Sequence, residues 1–76
     1  MTIPLTITAR DLIVGDRIIR FTHDADAGIT RIEAMASGGI MLSLVIIDHA
    51  DQDIAGRTYF IARPDAVYTV QRKPNK

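Results

Sequence analysis

The sequence predicts an all-β fold, a small barrel of five short strands, and three observations carry that expectation. Turn-forming residues punctuate the chain at near-regular intervals: Gly15-Asp16, residues 24–28, Ser37-Gly38-Gly39, residues 48–56 and Arg63-Pro64-Asp65. The segments between them are short and rich in Ile, Val, Thr, Tyr and Phe, side chains that suit a pleated, half-buried surface. Finally, 76 residues make one thin-cored domain, and a chain without cysteine has neither a disulfide nor a thiolate-bound metal to reinforce it. Residues 1–76 are therefore read as one domain that must be held by strand pairing and apolar burial.

The first strand is expected over residues 17–23, launched from a turn in which Gly15 takes a positive φ and Asp16 caps the chain reversal. The second runs over residues 29–36, with Thr30, Ile32 and Ala34 facing inward and Arg31 and Glu33 in water. A short helix at about residues 28–36, giving an α+β fold, is the alternative there. Asp26 would cap it, Ile29, Ile32 and Ala36 would line one face, and Gly38-Gly39 would end it. Gly28, Ile29 and Thr30 are poor first-turn residues, which favours the strand. The third strand, residues 40–48, alternates Ile40, Leu42, Leu44 and Ile46 with Met41, Ser43, Val45 and Ile47. The fourth, residues 57–63, places Phe60 in the core between Tyr59 and Ile61, and the fifth covers residues 66–72. Lys73 to Lys76 form a flexible tail, because Pro74 cannot continue a ladder.

The third strand is apolar on both faces, and such a strand must be covered on both. Met41, Ser43, Val45 and Ile47 are therefore the expected protein interface, used by a protein partner or by a second copy in a homo-oligomer. Internal cover by the N-terminal segment, where Ile3, Leu5 and Ile7 alternate, is the competing expectation. An apolar content of 47% in so short a chain points the same way as the interface.

Nine Lys and Arg balance nine Asp and Glu, and a dedicated non-specific nucleic-acid binder carries a positive excess. Seven of the nine cations are nevertheless Arg, the residue suited to bidentate phosphate contacts. If Arg17, Arg57, Arg63 and Arg72 share a face with Tyr59, nucleic-acid binding there is the alternative function, with the tyrosine stacking on a base. The bland alternative is a solvated exterior paired with nearby carboxylates.

His23 and His49 each precede an Asp-rich turn, at strand ends that an antiparallel barrel can bring together. They are weak metal candidates: imidazole and carboxylate suit zinc, nickel or iron, but the pair lacks a recognised ligand spacing. Asp24 opens a partial calcium-loop pattern, which fails because its twelfth position is Met35. Ser37 and Ser43 are the only serines and neither sits in a G-x-S-x-G elbow; Ser37-Gly38-Gly39 lacks the spacing and the Lys of a phosphate loop. No cofactor and no enzymatic activity are expected. The longest apolar run, residues 40–47, is eight residues against the roughly 20 of a membrane span, and no signal-peptide pattern is visible. A cytoplasmic protein with no membrane partner is the expectation.

Two segments carry a resemblance. The stretch from Thr8 to Ile18, containing Asp11-Leu12-Ile13-Val14-Gly15-Asp16, resembles the opening of small SH3-like barrels, in which such a turn launches the first long strand. Residues 62–67, around Arg63-Pro64-Asp65, are similar to the tight turn before the last strand of those barrels. Together they resemble small uncharacterised proteins encoded by actinobacterial phages, over about residues 7–72. The resemblance implies a five-stranded SH3-like barrel that binds protein or nucleic acid without catalysis, in the host cytoplasm. The aromatic groove of peptide-binding SH3 domains is not expected, since Phe21, Tyr59, Phe60 and Tyr68 are the only aromatic residues and Phe60 belongs to the core.

Overall fold

The structure, a computed structural model, describes residues 3–73; the expected fraying of the tail therefore lies, from residue 74 onward, outside the described residues. The fold is all-β. Six strands, β1 (Ile3–Thr8), β2 (Arg17–Thr22), β3 (Ala25–Ala34), β4 (Ile40–Asp48), β5 (Ile54–Ala62) and β6 (Val67–Arg72), form one antiparallel sheet in the order β1-β6-β2-β3-β4-β5. A 3₁₀ turn, Ala9–Asp11, joins β1 to the loop before β2.

Two expectations change. The strand count is six rather than five, because the alternating Ile3, Leu5 and Ile7 form a strand that pairs with β6 from Ile3↔Arg72 to Thr8↔Val67. The sheet is also not closed, since β1 and β5 remain its free ends. It curls strongly all the same. Flat strands sit about 4.8 Å apart, which would separate β5 from β6 by roughly 19 Å across four spacings, yet the rings of Phe60 and Tyr68 lie 6.4 Å apart.

Residues 28–36 are not helical. Their strand instead contains a bulge that accounts for a third correction. Ile29 pairs with Leu44 and Arg31 with Ser43, so Thr30 is the extra residue. The bulge switches the alternation: Ala25, Ala27 and Ile29 are buried before it and Ile32 half-buried after it, while Thr30 and Ala34 are exposed rather than inward.

The concave face of the sheet holds the core. Ile18, Ala27, Ile29, Leu42, Leu44, Ala62 and Val70 are buried, joined by Ala9 and Leu12 from the segment after β1. Leu5, Ile7, Ile40, Ile46 and Phe60 pack against them, so the inward face read for β4 and the inward Phe60 are as expected. The turn before β2 also follows its sequence. Gly15 has φ +99°, a region in which a side chain is strained, and the Asp16 carboxylate accepts a hydrogen bond from the Ile13 N–H at 3.0 Å. Gly38, at φ +95°, closes the β3–β4 turn, donating to the Met35 carbonyl at 3.0 Å.

Candidate functional site: a carboxylate hub, an aromatic cleft and an open strand

Two carboxylates are buried on otherwise apolar scaffolding, and each is fully engaged. Asp16 receives Arg72 bidentately, Nε to Oδ1 and Nη2 to Oδ2 at 2.8 Å each, and Arg72 Nη2 also donates to the Asp11 carbonyl. Asp26 receives three donors: Arg17 Nε at 2.7 Å on Oδ2, and on Oδ1 both the Arg20 N–H at 2.8 Å and His49 Nε2 at 2.6 Å. A carboxylate at that distance fixes the tautomer with the proton on Nε2. Burial works to raise the pKa of each aspartate, but the hydrogen bonds outweigh it. Those from Arg72 and the Ile13 N–H hold Asp16 below the ordinary carboxylate value, and those from His49, Arg20 and Arg17 do the same for Asp26.

These depressed values have a sign. Both aspartates stabilise the fold fully above their unfolded value near 3.8, and that contribution is lost as pH falls through the lower folded values. Thermal denaturation from pH 7 down to pH 2.5 is expected to give a level melting temperature down to about pH 5 and a steep fall below pH 4. A melting temperature that stays level to pH 3 would show that neither carboxylate is held in this way.

The Asp26 hub shapes the sheet. Between Ile18↔Ala27 and Thr22↔Ala25, three β2 residues lie opposite Asp26 alone, so the β2 backbone must bulge there. Arg20 sits at the crest with φ 53°, a left-handed conformation costing about 1 kcal/mol for a residue with a side chain. The Asp26 carboxylate offsets that cost by taking the Arg20 N–H that the bulge removes from the ladder.

The bulge in turn parts β2 from β6. Their pairing is limited to Arg17↔Gln71 and Ile18↔Val70. Beyond it a cleft of about 330 Å³ opens, lined by residues 18–21 of β2, Phe60 of β5 and residues 67–69 of β6. Phe60 stands edge-on to Phe21, with ring centroids 5.5 Å apart, and edge-on to Tyr68, the favoured geometry for aromatic pairs. The expectation of no aromatic groove is thus corrected: three of the four aromatic residues converge on one cleft. Their positions 21, 60 and 68 fall on three strands, which leaves no local pattern to read. Burial pushes the Tyr68 phenol up from its ordinary value.

On the convex side, Met41, Ser43, Val45 and Ile47 are all half-buried. The N-terminal segment does not cover them, since β1 is paired to β6 and contributes Leu5 and Ile7 to the core. Their neighbours are Ile61, Tyr59, Arg57 and Ile54, the β5 residues opposite them in register. Tyr59 is 72% exposed, Ile54 61% and Ile61 59%. Val45 leans over Gly28, where an added Cβ would come within 3.2 Å of Val45 Cγ2. Beyond β5 the sheet ends, leaving nine residues of strand with one hydrogen-bonding edge open.

The arginines singled out for nucleic acid do not act alike. Arg17 and Arg72 are committed to Asp26 and Asp16, whereas Arg57, Tyr59 and Arg63 are exposed on or beside β5. The two histidine turns do meet, for the His49 N–H donates to the Asp24 carbonyl at 3.0 Å. His49, however, spends its imidazole on Asp26, His23 is exposed, and among the described residues no group of three or more His, Asp or Glu side chains is placed to hold a metal ion. Among them, too, no helix is long and apolar enough to cross a membrane.

Comparison of the chain with protein families, with curated proteins and with solved structures finds no match in any of the three. The residues and their geometry therefore carry the functional reading.

Proposed function

We propose that the protein is a non-catalytic interaction module whose binding surface is the convex face of β4 and β5 together with the open edge of β5, and that it takes a second copy of itself as partner. The observation that supports this most is the contrast between the two ends of the sheet. β1 is a six-residue edge carrying Pro4, which has no N–H to offer. β5 is a nine-residue edge with no proline and with Ile54, Tyr59 and Ile61 exposed. Long apolar edges are aggregation hazards unless paired or blunted. An antiparallel β5–β5 ladder across a two-fold axis satisfies the open backbone groups and continues the sheet from one copy into the next. Because the axis makes the contact self-complementary, the β5 row of Ile54, Arg57, Tyr59 and Ile61, which lies opposite the convex residues of β4, meets its own image. Arg57 lies in that row as its one cation, and an axis near Thr58 sets each Arg57 beside the partner's tyrosine, a cation–π arrangement.

Multi-angle light scattering tests this directly. The protein is expected to elute as a dimer at about 50 μM, and a variant carrying both Tyr59→Lys and Ile61→Lys as a monomer with an unchanged far-ultraviolet circular dichroism spectrum, because charged edges repel pairing without touching the core. A monomeric parent at that concentration, or a variant that remains dimeric, would overturn the reading. The resemblance to phage-encoded SH3-like barrels is in keeping with a small module of this type. Nucleic-acid binding draws less support, since two of its four arginines serve internal carboxylates.

A further inference from the structure

The cleft between β2 and β6 lies on the other side of the sheet from the convex β4–β5 face and has its own chemistry. Its floor and walls are aromatic and aliphatic: Phe21, Phe60 and Tyr68 with Ile19 and Val67. The one charged residue lining it is Arg20. Among the described residues, Arg17, Arg31 and Arg72 each have a carboxylate within 4.0 Å, whereas Arg10, Arg20, Arg57 and Arg63 have none, and of these four Arg20 is the one that lines the cleft. No Asp or Glu lines the cleft either. A lining arginine that no carboxylate neutralises makes an aromatic pocket complementary to an anion attached to an apolar group. The volume of about 330 Å³ stands at the small end of ligand pockets, about 300–1,000 Å³, so it limits that apolar group to one ring or one large side chain.

The conformation of Arg20 makes the arrangement more than a gap in the sheet. A left-handed non-glycine residue persists only where its surroundings over-determine it, and such residues gather at binding sites. Here a buried carboxylate with two further partners holds the Arg20 backbone, and the same bulge that strains Arg20 keeps β2 and β6 from zipping together. Both the cavity and its cation therefore depend on Asp26.

We infer that this cleft is a binding site for an aryl or branched-alkyl carboxylate, with the apolar group seated between Phe21, Phe60 and Tyr68 and the carboxylate on Arg20. Two sources present that chemistry: a free small carboxylic acid, and the C-terminus of a peptide ending in a large apolar residue. Neither depends on the dimer proposed above.

The test is a titration of the ¹⁵N-labelled protein followed by amide chemical shifts. The probes are 4-phenylbutyrate and a tetrapeptide ending in phenylalanine, each compared with its neutral amide. Saturating shifts are expected at residues 18–21 and 67–69, with each carboxylate binding about tenfold tighter than its amide, the usual margin of a charge-assisted contact. Arg20→Gln is expected to remove that margin while leaving the amides unchanged. Thr69→Trp, at an exposed rim position, is expected to abolish binding of all four probes by filling the cleft without disturbing the core. The tighter of the two carboxylates identifies the source. Absence of shifts at the cleft with either carboxylate at millimolar concentration, equal affinity of acid and amide, or carboxylate binding unchanged in Arg20→Gln would each overturn the assignment.

Discussion

Arg72→Met is expected to cost about 3–4 kcal/mol of folding free energy, read from the urea midpoint. The substitution keeps the aliphatic stem and removes the guanidinium that clamps Asp16 through two hydrogen bonds of 2.8 Å. Asp16 is wholly buried, so the variant strands a carboxylate with no counter-charge, and breaking a buried pair from one side is the costly way to lose it. A chain of 76 residues has about 4–11 kcal/mol in total, which makes this single contact a large fraction. The pH dependence supplies a control. Without Arg72, burial raises the Asp16 pKa, so the penalty belongs to the ionised form and shrinks as pH falls toward 4. Adding Asp16→Asn to Arg72→Met is expected to return part of the loss, since the orphaned charge is gone. A penalty under about 1 kcal/mol at pH 7 would mean that the pair behaves like a surface salt bridge.

Asp26→Ala is expected to be nearly as damaging, at about 3 kcal/mol, and to have a second effect that Arg72→Met lacks. It removes the acceptor of the Arg20 N–H and the anchor of His49. His49 begins the turn in which Arg17 Nη2 meets the Gln52 side chain at 2.9 Å. The 48–53 turn is therefore expected to become the first site of limited proteolysis, and the amides of residues 19–21 to lose their native shifts. Asp26→Asn keeps an oxygen for the Arg20 N–H but gives up the charge. It should retain the β2 bulge while losing most of the Arg17 contribution. If Asp26→Ala leaves the 48–53 turn as resistant as the parent, the hub does not hold that turn.

What the sequence revealed and what it hid divide along one line. β4 was legible to the residue because its alternation, Ile40 to Ile46 against Met41 to Ile47, is a local pattern of period two. The Gly15-Asp16 turn was legible for a similar reason, as backbone freedom and side-chain capping act within three residues. The pairings across the sheet were not. Thr30 became a bulge only through its register against Ser43 and Leu44, which turned Thr30 itself outward while Ile32 kept its place against the core. The alternation of Ile3, Leu5 and Ile7 was visible, but nothing in it announces β6 as its neighbour. The candidate sites followed suit: the convex row on β4 could be read from one strand, whereas the cleft needs residues from three strands and a bulge held by a carboxylate on a fourth. Arg17 and Arg72 show the same limit, since the partners that occupy them lie nine and 56 positions away.

The place of β6 in the sheet bears on the time course of folding. β2 to β5 form a meander whose neighbours in space are neighbours in sequence, so they can pair as soon as they are made. β1 has no such opportunity, because its only partner is the last strand, which slots between it and β2. β1 therefore joins the sheet only through a strand some 60 residues further along the chain. Closing that long loop is the slow entropic step in such topologies, and the Asp16–Arg72 clamp can form only once it is complete. Until β6 docks, the edges of β1 and β2 that it occupies in the native sheet have no partner, so β6 is the piece that joins β1 to the meander.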